Sequence, residues 1–331
     1  MLPLPMFHNS YYHTKNPNEL ELKNLVNLAV CKIAALTLII LSIFLLPYPY
    51  PIYGQSNTPS GGSNSALDNK LVILTFGDTL KSQFNIAKPI LDKYNFKASF
   101  FITCGYVSEP RRMSWQDIAD LQTDGQDLES KTMTHIGMTD LTTNQLIYET
   151  GGSKECLVHH GINATIFATP HGKEWNNATV INTISKYYGF ADNGFAPLMF
   201  LHCDGYKKFS SQTDCRTYYD NGSLTLANRY SIREWSHNAV DKMYSYNDTK
   251  IFARFVQEVN SQAIYNSKYG SIDAIPVIAY HSIDNNKTTD STDISLFANE
   301  MKYLHDKGFS VIPMTDLGYD NGTHVMIIKP A

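Results

Sequence analysis

From residue 70 onward, short runs of β-branched and aromatic residues alternate with stretches whose apolar positions recur at helical spacing. Residues 71–76 (LVILTF) end in the polar GDT, as a buried strand does where its carboxyl end opens into a loop. Residues 83–94 then show helical spacing, and 98–104 (ASFFITC) repeat the buried-strand pattern. Further helices are predicted over 115–123, 144–160, 178–188 and 250–265, with strands at 164–168 and 275–280. A last helix over 296–307 stops at Gly308, before a strand at 309–313. This alternation predicts an α/β fold, with a mostly parallel sheet or barrel covered by helices. In a parallel barrel the loops at the carboxyl ends of the strands form one rim, where functional side chains collect. Residues 197–243 are polar, aromatic and irregular, and read as an insertion or lid.

Before residue 70 the pattern changes. Residues 33–46 (IAALTLIILSIFLL) are uncharged and apolar, with Lys15, Lys23 and Lys32 before them and no further Lys or Arg until Lys70. That asymmetry predicts a cytoplasmic tail over 1–24, a transmembrane anchor or signal segment over 25–50, and everything later outside. Either assignment fits the length, and the lack of a small-x-small cleavage site favours an anchor over a secreted product. Residues 51–69 are rich in Gly, Ser, Asn and Pro and read as a flexible linker to a domain spanning 70–331.

Composition narrows the partners. With 27 Lys+Arg against 31 Asp+Glu, the net charge is −4 and no basic block is present, which argues against nucleic acid. Of five cysteines, Cys104, Cys156, Cys203 and Cys215 fall in the domain. Cys203 and Cys215 flank a polar loop and are expected to form a disulfide, whereas Cys104 and Cys156 are expected to be free and buried. Sequons at Asn163, Asn177, Asn221, Asn247, Asn286 and Asn321 agree with export.

Four groups fall on the expected rim: Asp78, His135, the pair Pro170–His171, and His281. Any one of them reads more readily as a turn, a cap or a satisfied polar residue. In combination, the strings TFGDT, KTMTH, FATPHG and VIAYH resemble, in this order, the motifs of the polysaccharide deacetylase (NodB-homology) family. The resemblance runs from about residue 71 to 317. It implies an irregular (β/α) barrel that removes N- or O-acetyl groups from an acetylated glycan with a divalent metal, most often zinc. It also implies Asp78 and His135 as metal ligands, His281 as the acid that protonates the leaving group, and Ile278 or Ala279 as the wall for the acetyl methyl. Pro170 and His171 would line the substrate pocket.

Two positions depart from the family pattern. Gly77 stands where the family has its aspartate base, and Lys131 stands where it has a second histidine ligand. Deacetylation needs a metal to polarise the carbonyl, a base for water and an acid for nitrogen. A protonated lysine has no lone pair to donate, and its charge repels a cation. Lys131 is therefore expected to occupy the metal's place between Asp78 and His135, giving a pocket without metal. A third ligand from His171 and a base from Asp127 or Glu129 would be the rescue. Two functions compete: a metal-assisted glycan deacetylase, and an inactive glycan-binding pseudoenzyme with Trp115, Trp175 or Trp235 as stacking platforms.

Overall fold

In LVILTF every second residue faces the same way, and that alternation organises the whole domain. A computed structural model of the chain describes residues 70–330, apart from 173, 175–176, 197, 202–227, 238–239, 241–242, 267–271 and 324. Strand β1 (Leu71–Phe76) sends Leu71, Ile73 and Thr75 into a barrel bore. Val72, Leu74 and Phe76 point outward into a larger core beneath the helices. Fully buried Phe76 stacks on Phe100 at 4.8 Å and Tyr280 at 5.6 Å, which joins three neighbouring strands through their outer faces.

The ring continues through β2 (Ser99–Ile102), β3 (Asp127–Ser130), β4 (Ile166–Ala168), β5 (Phe190–Phe195), β6 (Ile232–Ser236) and β7 (Val277–Tyr280). Every pairing is parallel, and β7 closes back on β1 through the register Ile73↔Val277 to Phe76↔Tyr280, which makes a seven-stranded barrel. Strand β8 (Ser310–Ile312) pairs with the first half of β1 and extends the wall. At that end Leu71, Ile73, Val277, Met314, Leu317 and Met326 fill the bore, so the cavity opens only toward the carboxyl ends.

Helices cover the outside: α1 (Lys88–Lys93), α2 (Trp115–Thr123), α3 (Ser153–His159), α4 (Ala178–Ile184), α5 (Asp248–Asn260) and α6 (Ile294–Asp306). Ser114 caps α2 in a capping box with Asp117, and Asn177, Asn247 and Asp293 cap α4, α5 and α6. Gly308 (φ +69°) takes the left-handed conformation just past α6. The expected helices over 83–94 and 144–160 are each interrupted by one π-helical turn, at Gln83–Ala87 and Tyr148–Gly152.

Three strands of the barrel ring are absent from the sequence reading. DLES, FADNGF and IREWS look polar because their inward positions are Glu129, Asp192 and Glu234 rather than apolar residues. Strand β6 lies inside the region 197–243 that read as an insertion, so that part is barrel wall. Among the described residues no helix is long and apolar enough to cross a membrane, and the segments 1–24, 25–50 and 51–69 lie outside them.

Cys104 and Cys156 are not free. They form a disulfide, with Cα atoms 6.5 Å apart, that ties the exit of β2 to α3. Cys203 and Cys215 lie outside the described residues. A bridge across 52 positions stabilises chiefly by restricting the unfolded chain. Cys156→Ser is expected to cost up to about 4 kcal/mol in urea unfolding, and reduction is expected to destabilise the variant less than the parent chain by that amount.

Candidate active site

The four sequence strings converge. Asp78, Lys131, His135, His171 and His281 all line one cavity of about 680 Å³ at the carboxyl ends of the strands, together with Gly77 and Ala279. Its centre is an ion pair. Lys131 Nζ lies 2.7 Å from Asp78 Oδ1, and His135 Nε2 lies 2.9 Å from the same oxygen. His281 Nε2 is 3.6 Å from Asp78 Oδ2. The amine thus stands beside the carboxylate and imidazole expected to bind a cation.

Gly77 is what makes room for it. A Cβ at this position would lie 2.7 Å from Lys131 Nζ and 3.6 Å from the His281 ring. The two departures from the family pattern are therefore one spatial event, since the missing side chain at 77 is the space the ammonium uses.

The electrostatics follow from burial and this pairing. Burial raises the carboxyl pKa of Asp78, but the Lys131 charge, the His135 hydrogen bond and His281 outweigh it, holding the carboxyl well below the usual range. For Lys131, burial opposes the charge, while Asp78, with Glu234 and Asp192, brings its pKa above that of ordinary lysine. Burial, then Lys131, pushes the His281 pKa down against the pull of Asp78, which favours the neutral imidazole.

Local backbone geometry serves the same cluster. Asp78 (φ 73°), Thr79 (60°), Thr132 (56°), His135 (60°) and His171 (65°) all adopt the left-handed conformation, which side chains with a Cβ seldom adopt unless their surroundings enforce it. The enforcement is visible. Arg112 Nη1 donates to Asp78 O at 2.6 Å, Thr103 N donates to Thr79 Oγ1 at 2.8 Å, and Thr103 Oγ1 donates to Lys131 O at 2.9 Å. Glu149 accepts from Met133 N and Thr134 N, each at 2.9 Å, and from Thr134 Oγ1 at 2.6 Å, clamping the 131–135 loop. Buried Gln83 donates through Nε2 to Gly77 O and, at 3.1 Å, to His281 O. Each of the two π-helical turns carries one of these braces, Gln83 or Glu149.

Sequence reasoning missed Asp192 and Glu234, which line the bore beside Lys131. Thr75 Oγ1 donates to Glu234 Oε2 at 3.3 Å, and burial, then the charge and hydrogen bond of Glu234, holds Asp192 well above the usual carboxylate range. Several expectations fail. Ile278 points into the outer core, whereas Ala279 lines the cavity. Pro170 is buried outside the cavity lining, while His171 lines it with its ring edge-on to His135 at 5.3 Å. Asp127 and Glu129 cannot replace the lost base, because they face a second cavity at the amino end of the strands. There Asp127 accepts from Ser99, and Glu129 from Thr165 and Ile166. Of the proposed platforms, Trp235 is buried, Trp115 stacks on His160 away from the cavity, and Trp175 lies outside the described residues.

The donor set does not fit the family's divalent metal. Asp78 and His135 converge, but the third corner is an ammonium already bonded to the same carboxylate oxygen. Among the described residues no group of three His, Cys, Asp or Glu side chains is placed to hold a metal ion.

Residues 64–191 match the family model for polysaccharide deacetylase. A putative polysaccharide deacetylase of Bacillus subtilis, YxkH, is 27% identical over 114 residues, 34% of this chain and 40% of its own length. The chain thus spans about two fifths of that relative. Among solved structures, a family 4 carbohydrate esterase from Streptomyces lividans in complex with acetate superposes with TM-score 0.46 at 15% identity, covering 79% of this chain and 98% of that one. BA3943, described as a CE4 family pseudoenzyme from Bacillus anthracis, gives 0.44 at 14% identity over 74% of this chain and 64% of that one. The stretch 64–191, which runs from the entrance of β1 into β5 of this parallel barrel, is thus similar to polysaccharide deacetylase domains of the NodB type.

The ion pair's contribution to stability has a definite pH window. The lowered pKa of Asp78 gives a contribution that is full above the ordinary carboxylate range and lost as pH falls through the lowered value. The raised pKa of Lys131 gives one that is full below the ordinary lysine range and lost as pH rises through the raised value. Asp78→Asn, which strands the ammonium, is expected to cost about 3–5 kcal/mol, with a penalty flat between about pH 5 and 9. Lys131→Met should cost less, because His135 and His281 remain beside the carboxylate. Urea unfolding across pH checks both.

Proposed function

We propose that this domain recognises acetylated glycan without metal and without turnover, Lys131 supplying the positive charge that a metal supplies in a deacetylase. The observation that carries the reading is the Lys131–Asp78 contact of 2.7 Å over a residue 77 that has no side chain. An ammonium can hold a carbonyl oxygen by a charge-assisted hydrogen bond. It cannot bind and ionise a water as a metal does, and Gly77 offers no base to take the proton. Within the pocket, Ala279 forms the wall for an acetyl methyl, and the hydroxyls of Thr75 and Thr169 meet polar groups of the sugar. The lysine asymmetry around the apolar stretch 33–46 supports a pocket outside the cell on a membrane anchor, where surface glycan is within reach.

Hydrolysis is the second reading. It is favoured by His281, which keeps its place 3.6 Å from Asp78. The readings separate in one calorimetric titration of acetylated oligosaccharide, with zinc and with chelator, paired with an assay for released acetate. Equal affinity in both conditions and no acetate are expected. Stoichiometric zinc at micromolar affinity, or acetate release abolished by Asp78→Ala, would overturn the non-catalytic reading.

The interlock of residues 77 and 131 makes restoration non-additive. Gly77→Asp alone is expected to yield no turnover, because its new carboxylate meets the Lys131 ammonium. Lys131→His alone restores a ligand but no base. Gly77→Asp with Lys131→His is expected to gain both zinc binding and acetate release, measured by metal analysis and by the same assay.

A further inference from the structure

The cavity has an aromatic lip that no charge argument requires. Phe195, at the carboxyl end of β5, is 53% exposed and lines the mouth. The other large hydrophobic side chains with comparable exposure, such as Tyr148, Val158 and Ile264, lie away from the cavity. The neighbouring backbone is shaped to receive the ring. Gly172 has φ +58°, and a Cβ there would lie 2.7 Å from Phe195 Cε2 and Cζ. Any larger residue at 172 would push the ring away. Thr289 and Asp290 also line this cavity, as do the hydroxyls and carboxylates of Thr75, Thr169, Asp192 and Glu234 within it.

An exposed apolar ring bordering a polar cavity matches a ligand with a flat C–H face and hydroxyls around its edge, which is the chemistry of a pyranose. A lipid tail would take the carboxyl and hydroxyl groups of the cavity out of water while offering them no polar contact. Resting on the glycan reading above, we propose that Phe195 is a stacking platform for the sugar unit next to the one in the pocket. The domain therefore selects an oligomer of at least two units over a monosaccharide. Gly172 is the positioning residue that seats the ring.

The test measures affinity of the full chain for N-acetylglucosamine and for its β-1,4-linked tetramer, with acetylated xylotetraose and acetylated xylose as a second pair. In the parent the tetramer is expected to bind more tightly than the monomer. Phe195→Ala should weaken the tetramer roughly tenfold or more and leave the monomer unchanged. Phe195→Trp should keep tetramer binding, and Gly172→Ala should imitate Phe195→Ala by displacing the ring. A tetramer affinity unmoved by Phe195→Ala, or an equal loss for monomer and tetramer, would overturn the platform and leave the glycan reading standing. A parent chain that binds none of the four sugars would overturn both.

Discussion

The contact between the Lys131 ammonium and the Asp78 carboxylate organises the mouth of the barrel. Both groups are largely withdrawn from water, so each is tolerated only because the other is present. Its consequences reach outward. The ammonium raises the cost of a second cation, lowers the proton affinity of His281 and draws on the carboxylates of Asp192 and Glu234. A cluster of ligands and acid–base groups thereby becomes a dipolar patch with charge available for hydrogen bonding.

The scaffold that holds this pair is costly in backbone terms. Five residues of the site loops sit at positive φ with side chains attached, and each such conformation costs of order 1–3 kcal/mol. The braces that enforce them are hydrogen-bonded: buried Glu149 beneath the 131–135 loop, buried Gln83 bridging the ends of β1 and β7, and half-buried Arg112 on the Asp78 carbonyl. Fold alone fixes no activity, and here the same barrel carries a different balance of charge.

The mouth joins two kinds of surface. Deep in the cavity are Lys131, Asp78 and the carboxyl pair Asp192 and Glu234, and at the lip is the ring of Phe195 over Gly172. Charge and hydroxyl groups fix orientation, whereas the ring adds apolar area at small conformational cost. A ligand with polar edges and an apolar face meets both at once, which links the glycan reading of the pocket to the oligomer selectivity drawn from its lip.

Much of this was legible in the chain, and the limit is physical. Apolar runs such as LVILTF and helical spacing in 115–123 located β1 and α2, because burial against a core leaves a periodic trace in the residues themselves. The motif strings likewise marked Asp78, Lys131, His135 and His281. Strands β3, β5 and β6 left no such trace, since their inward residues are satisfied by partners distant in sequence, as Glu129 is by Thr165 and Ile166. The Cys104–Cys156 bridge and the outward turn of Ile278 depended on strand register and the packing of α3, which spacing does not encode. The sequence by itself determined the barrel class and the chemical identity of the altered positions. Only the tertiary structure decided that Gly77 and Lys131 share one space and that Asp192, Glu234 and Phe195 complete the cavity, because such proximities arise when the sheet closes on itself.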